Sequence, residues 1–331
     1  MQLAKKHGIP GRVEFAVIKN ERELAKLDEF SKRFGRDFVI KADGLMGGKG
    51  VFVGGDHFKS LKKARDIIGR LLKRGPVVLQ EKLVGTEFSG QYFAYNGGFV
   101  TCPYTQDHKR AFENDKGANT GGMGSYSDGN HSLPFLAKKE LLEAKNIVKR
   151  TLEAMHKETG CHYIGVLYPA FMKTKNGIKW IEFNCRLGDP EGANAFMLLR
   201  GDFAKAALAA AKGGRMPRMR FAREATVVRY ATPPGYPQKP VAGKKITVRE
   251  SKIAPHARVL YADAELAEED GRTTTIKTGT SRTFAIAASA KNLERAKAKV
   301  DKAFALHVKG KHHRRDDIPN LKKIRAGAAK L

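Results

Sequence analysis

Hydrophobic positions along this chain fall into short blocks whose spacing switches repeatedly between helical and extended periods. Leu24, Leu27 and Phe30 share one face of a predicted amphipathic helix over 21–34. Phe38-Val39-Ile40 predicts a short strand, and Leu61, Ala64, Ile68 and Leu71 predict a helix from about Phe58 to Arg74. A strand over 76–79 runs into the linker Gln80 to Glu87, and 88–95 with 99–102 reads as a hairpin closed at Asn96-Gly97-Gly98. After a helix over 137–158, a second hairpin (166–173 and 178–183) turns at Asn176-Gly177. From Asp189 one long helix is expected to about Ala211, with Asp189 as N-cap and Pro190 at the first helical position.

The breaker run Gly213-Gly214-Arg215-Met216-Pro217 marks the clearest domain boundary, which ends a first domain over 1–215. Strand-like runs at 225–230, 258–262, 273–277 and 282–288, with a helix over 293–306, predict a smaller α+β domain over 222–318. A basic tail, 319–331, follows and is expected to be mobile after Ile318. The fold class is therefore α+β throughout, with no internal repeat.

Charge narrows the choice of partners. The formal net charge of +28 favours anions: nucleotides, phosphosugars, nucleic acid or acidic membrane. The charges are dispersed and lack regular aromatic interleaving, which argues against a specific nucleic-acid reader and leaves non-specific adhesion open. No run approaches the roughly 18 apolar residues of a membrane span, and the N-terminus has no apolar segment of a secretory signal. Cys102, Cys161 and Cys185 are few, odd in number and widely spaced, which suits reduced thiols in a cytoplasmic protein.

The chemistry concentrates in three stretches. In Trp180 to Glu191, Glu182 and Asn184 lie two apart and share one face of a strand, where hard oxygen donors suit magnesium. Arg186 follows as an anion clamp. An ordinary strand edge with a salt bridge accounts for that stretch equally well. Lys41 ends a strand and leads into a glycine-rich loop containing Gly47, Gly48, Lys49 and Gly50, whose N–H groups can approach phosphates. The spacing is not that of a Walker A loop, and a plain hairpin turn explains it as well. The segment from Gln106 to Tyr126, with Asp107 and His108, is polar and too long for a simple connector, so it suits a substrate site. A solvated loop histidine is the alternative for His108.

Three motifs taken in order, KADGLMGGKG, QDHKRAFENDKGANTGGMGSYS and GVLYPAFMKTKNGIKWIEFNCRLGDPE, resemble the glycinamide ribonucleotide synthetase (phosphoribosylamine–glycine ligase) family. These are ATP-grasp enzymes of purine biosynthesis. The resemblance continues through Thr280-Ser281-Arg282 and His312 to Ile318, and so covers nearly the whole chain. It implies an ATP-grasp fold, two α+β lobes clasping ATP, with a mobile nucleotide lobe over about 18–85. It implies that Lys41 and the loop 47–50 clamp the ATP phosphates, that Glu81, Lys82 and Leu83 border the adenine, and that Glu87 holds the ribose. Glu182 and Asn184 match the family's magnesium or manganese ligands, and Asp107, His108 and Arg186 fall in motifs that line the glycine and 5-phosphoribosylamine sites.

The implied reaction passes through glycyl phosphate to glycinamide ribonucleotide, ADP and phosphate. Two departures accompany the match. Cys185 and Leu187 stand where the family more often has Ala and Phe. The family also carries an N-terminal domain and a Ser-Lys segment ahead of the position of Met1. This implies a truncated chain or one half of a split enzyme, binding ATP without ligating alone and partnered by a separately encoded N-terminal domain. A basic nucleic-acid-adhering protein on an ATP-grasp scaffold is the competing expectation. Retention of Lys41, Glu182, Asn184 and Arg186 together favours the ligase.

Overall fold

The computed structural model describes residues 1–44, 50–214 and 216–328. The chain divides into two compact units, Met1–Thr86 with Met172–Ile181, and Glu87–Phe171 with Glu182–Leu331. The expected α+β character holds in both.

In the first unit, four antiparallel strands stand in the order Phe15–Ile18, Val77–Glu81, Phe38–Ala42, Val51–Val53. Alternation explains their placement: Phe38 and Ile40, like Val77 and Leu79, point to one face and are fully buried. Helices Ala25–Phe34 and Leu61–Leu72 cover that face with Leu27, Phe30, Ala64, Ile67 and Ile68. The first of these helices begins later than the pattern predicts. Asn20 accepts a hydrogen bond from the Arg22 N–H and closes a short 3₁₀ turn over Glu21–Glu23 instead. The second begins at Leu61 because Ser60 Oγ accepts from the Lys63 N–H. Strand Phe15–Ile18 carries no strong alternation to mark it in the sequence.

The 80–87 linker is shaped by one close approach. A Cβ at Gly85 would lie 2.0 Å from the Lys173 carbonyl oxygen, so only glycine fits there. Val84 beside it is 81% exposed.

The second unit carries the rest of the fold. The long segment after Gln106 is not a loop: it holds strands Gln106–Asp107, Arg110–Phe112, Lys116–Asn119 and Gly124–Ser127. One sheet runs Arg258–Tyr261, Phe284–Ala290, Ala225–Ala231, Gly124–Ser127, Gln106–Asp107, with antiparallel pairs. It joins strands of the 106–127 segment to strands from beyond the 213–217 breaker. Helix Leu293–His307 packs on it through Ala296, Val300, Ala303 and Phe304. A smaller sheet, in the order Ala264–Glu269, Thr274–Thr278, Lys245–Val248, Val308–Lys309, completes the C-terminal part.

Two expectations are corrected here. The helix expected over 189–211 is two helices, Glu191–Leu198 and Phe203–Ala211, because Leu199–Arg200 pairs with Arg220–Phe221 and Asp202 caps the second helix through Lys205 N–H. Asp189 is not an N-cap; its carboxylate bonds to Tyr230 and Arg282, and Pro190 occupies the cap. Among the described residues after Ile318, Asn320 accepts from the Lys323 N–H and starts helix Leu321–Ala328.

Arg229 lies at 0% exposure on the central strand of that sheet and bonds to Asp301 at 2.6 Å, Asp316 at 3.1 Å and the Ile318 carbonyl at 2.7 Å. Asp301 and Asp316 are 41% and 53% exposed and can turn to water when the arginine is removed, whereas the Ile318 carbonyl loses its partner. Arg229→Ala is therefore expected to cost about 1–3 kcal/mol, read as a shift in the urea midpoint. Arg220→Ala, at an exposed strand position, is expected to stay within about 0.5 kcal/mol of wild type; equal shifts would refute the ranking.

Candidate active site

Strand Gly177–Asn184 delivers the anticipated pair. Glu182 is exposed, Asn184 is half-buried, and Asn184 Nδ2 donates to Glu182 Oε1 at 3.2 Å. Turning the amide over would bring Asn184 Oδ1 to the same carboxylate, giving two hard oxygen donors on one strand face. Among the described residues no cluster of three or more His, Cys, Asp or Glu side chains could hold a metal ion. Magnesium is usually held by one or two carboxylates and completed by water and substrate phosphates. The donor set fits the ion.

Just beyond, Arg186 donates to the Leu187 carbonyl at 2.8 Å, and its guanidinium carbon lies 5.9 Å from the centre of the Tyr168 ring. The turn that follows is fastened by a residue from the C-terminal part. Arg282 bonds to Asp189 Oδ2 at 2.7 Å and donates to the carbonyls of Asp189, Gly121 and Gly122 at 2.9, 2.9 and 3.1 Å. Its guanidinium carbon is 4.6 Å from the Tyr230 ring centre, and Tyr230 Oη donates to Asp189 Oδ1 at 2.6 Å. One cation thereby holds the glycine turn at 121–122 against the Asp189 turn.

The strand Gln106–Asp107 presents the second cluster. The Asp107 side chain is 6% exposed, with Lys109 Nζ 3.8 Å from its Oδ2. The same ammonium reaches Glu87 Oε2 at 2.9 Å. Asp107 first, and Glu87 after it, hold the Lys109 ammonium well above its ordinary pKa against the opposing effect of desolvation. Glu191, 2% exposed, accepts from Tyr168 Oη at 2.5 Å. Burial and then Asp107 push its carboxyl up to about 7. The neighbouring Gln91 Oε1 accepts the Gly188 N–H at 2.9 Å. Arg186, Tyr168, Glu191, Asp107, Lys109 and Glu87 thus form one chain of neighbours.

His108 takes another direction. Its Nδ1 is 3.4 Å from Asp115 Oδ1, and Arg315, fully buried, bonds to Asp115 at 2.9 Å and Asp317 at 2.8 Å. His108 Nε2 is buried with no partner among the described residues. The ring is therefore set in a network and is not a solvated loop histidine.

Lys41, Gly50, Glu81, Lys82 and Leu83 belong to the first unit, and Glu87, Asp107, His108, Glu182, Asn184 and Arg186 to the second. Lys41 is half-buried at the end of its strand, opposite Val51 and Val78. Glu81 Oε1 accepts the Glu14 N–H at 3.1 Å, and Lys82 Nζ donates to the Gly54 carbonyl at 2.9 Å. Gly47, Gly48 and Lys49 lie outside the described residues. Sequence reading passed over Lys109, Glu191, Tyr168 and Arg282. All four lie inside the motifs it quoted, but nothing local tells that their charges and hydroxyls meet.

The model of the phosphoribosylglycinamide synthetase ATP-grasp (A) domain matches residues 1–192, and that of the phosphoribosylglycinamide synthetase C domain matches 226–319. Phosphoribosylamine–glycine ligase of Methanosarcina barkeri is 39% identical over 316 residues, 95% of this chain and 70% of that protein. The protein of the same name from Methanothermobacter thermautotrophicus is 39% identical over 321 residues, 95% of this chain and 71% of its own. The crystal structure of phosphoribosylamine–glycine ligase from Thermotoga maritima superposes with a TM-score of 0.80 at 31% identity, covering 96% of this chain and 76% of that one. A biotin carboxylase structure from Campylobacter jejuni shares the fold alone, with a TM-score of 0.68 at 14% identity over 98% of this chain and 69% of that one. The fold is ATP-grasp. None of these matches supports a separately encoded N-terminal domain.

The His108–Asp115–Arg315 network makes a pH-dependent prediction. The His108 hydrogen bond first, and Arg315 next, hold Asp115 well below the ordinary carboxylate range. A carboxylate depressed on folding stabilises above its unfolded pKa and loses that contribution as pH falls toward the folded value. Asp115→Asn is expected to melt below wild type at neutral pH, with the gap closing in acid. Calorimetry across a pH series checks this, and a gap that widens in acid would reverse the assignment.

Proposed function

The chain belongs to the phosphoribosylglycinamide synthetase family, and we propose that it works as a phosphoribosylamine–glycine ligase through the residues placed above. It is an ATP-dependent carbon–nitrogen ligase of purine biosynthesis that joins glycine to 5-phosphoribosylamine, giving glycinamide ribonucleotide, ADP and phosphate. The observation that supports the residue roles best is the run from Glu182 to Glu191, where a hard-donor pair, the Arg186 guanidinium over Tyr168 and a buried carboxylate follow one another within a strand and a turn.

In the first step a glycine carboxylate oxygen attacks the γ-phosphorus and the bond to ADP breaks. In the second, the amine nitrogen of phosphoribosylamine attacks the acyl carbon, phosphate leaves, and the nitrogen gives up a proton. Neither step needs a protein nucleophile; both need placement and charge balance. Lys41 and the loop 47–50 would clamp the phosphates. The side chains of Glu81 and Lys82 are committed within their own unit, so with Leu83 they would border the adenine mainly through the backbone. Glu87 keeps one carboxylate oxygen beside Lys109 and would offer the other to the ribose. Arg186 suits the glycine carboxylate, and Asp107 and His108 suit the amine groups.

Magnesium or manganese, when bound, offsets charge on the transferring phosphoryl group, and Glu182 and Asn184 would hold it. The ATP-grasp part would span 1–215 and the C-terminal part 222–318, in a cytoplasmic setting that supplies ATP and glycine.

Phosphate release that requires both glycine and phosphoribosylamine tests the reading as a whole. Release with neither substrate, or with only one, would count against it. Glu182→Ala combined with Asn184→Ala is expected to reduce turnover by about two orders of magnitude or more while the melting curve stays close to wild type. Retention of normal magnesium dependence by this double variant would remove the metal assignment.

A further inference from the structure

Glu191 opens the helix Glu191–Leu198 at 2% exposure. Its Oε1 accepts from Tyr168 Oη, and Ser89 Oγ donates to the same phenol oxygen at 3.4 Å. Its Oε2 is buried and has no hydrogen-bond partner among the described residues. Tyr168 in turn lies beneath Arg186. The charged and titratable groups that act on Glu191 are Asp107 and Lys109 from the 106–109 segment, Tyr168 from strand Gly165–Thr174 and Tyr230 from strand Ala225–Ala231.

A half-satisfied carboxylate in an interior is a poor stabilising device, since an apolar or fully bonded residue serves better there. Its geometry instead points at the reacting region through two neighbours. We propose that Glu191 and Tyr168 form a positioning pair for the ligation: Glu191 fixes Tyr168 under the Arg186 guanidinium and sets the field on Lys109 between Asp107 and Glu87, without touching substrate. This rests on the ligase reading given above.

Because the Glu191 carboxyl stands at about 7, its charge is lost on mild acidification and the pair should act mainly above neutral pH. The effect on stability has the opposite sign. A carboxyl raised on folding costs stability as pH climbs from its unfolded value through its folded one. The Tyr168 hydrogen bond first, then the Glu191 N–H and the Lys109 ammonium, hold the value down.

The test compares wild type, Glu191→Gln and Tyr168→Phe in turnover and in melting, across pH. Above neutral pH, Glu191→Gln is expected to lose about 10- to 100-fold in kcat, with KM for ATP within about twofold, and to lose the acid limb of the wild-type profile. Tyr168→Phe is expected to move that limb to higher pH. The melting temperature of wild type relative to Glu191→Gln should fall as pH rises through neutrality. A Glu191→Gln profile that keeps the limb and is lowered evenly at every pH, or a melting gap that does not depend on pH, would overturn the proposal and leave a merely structural glutamate. An infrared titration of the ligand-free protein separates this from failure of the ligase reading. Inactivity of wild type at every pH would sink that reading, whereas the absence of a carboxyl band that titrates near neutrality and disappears in Glu191→Gln would sink this inference whatever the activity.

Discussion

Two carboxylates shielded from water, Asp107 and Glu191, share the Lys109 cation, and three segments of the second unit meet at that balance. Charges of one sign placed close together away from solvent repel strongly, so a counter-ion must stand near both. Lys109 does so with its half-exposed side chain anchored at Glu87. The arrangement ties together the start of strand Thr86–Ser89, the edge strand Gln106–Asp107 and the first turn of helix Glu191–Leu198. The first two of those segments carry the candidate ribose and amine contacts, and the third follows the turn that begins at Arg186. A site that must stabilise charge on a transferring phosphoryl group and on an amine gains from having its own charges already set.

The C-terminal part helps to build this arrangement. Its strands share a sheet with Gly124–Ser127 and Gln106–Asp107, so the substrate segment is anchored by residues more than a hundred positions away. Arg282 and Arg315 extend the same logic to two further points of that segment, one through Asp189 and the Gly121 and Gly122 carbonyls, the other through Asp115 at its middle. Such contacts matter unequally. Exposed pairs such as Lys245–Glu268 contribute roughly 0–1 kcal/mol, whereas removing a buried arginine that leaves a carbonyl without its partner costs about 1–3 kcal/mol. Of the arginines at zero exposure, Arg229 therefore braces the C-terminal part internally through Asp301, Asp316 and Ile318, and Arg315 ties that part to the 106–126 segment through Asp115 and the Arg110 carbonyl. The dispersed surface lysines that produce the +28 charge do neither.

The sequence by itself determined the elements whose reason is local. Period-two alternation places Glu182 and Asn184 on one strand face, Asn176-Gly177 turns the hairpin before them, and Phe38 and Ile40 enter the first core together. It also carried the family, because the three motifs keep their order and residue types. It did not determine where the long apolar stretch after Asp189 breaks, since pairing of Leu199–Arg200 with a strand twenty residues on competes with helix there. Nor did it disclose that Asp189 answers to Tyr230 and Arg282, that Glu87 is held by Lys109, or that His108 faces Asp115. Periodicity reports which way a side chain points relative to its neighbours in the chain. Which distant charge it meets, and how far water is excluded when they meet, depends on sheet order and packing, and only the tertiary structure decides that.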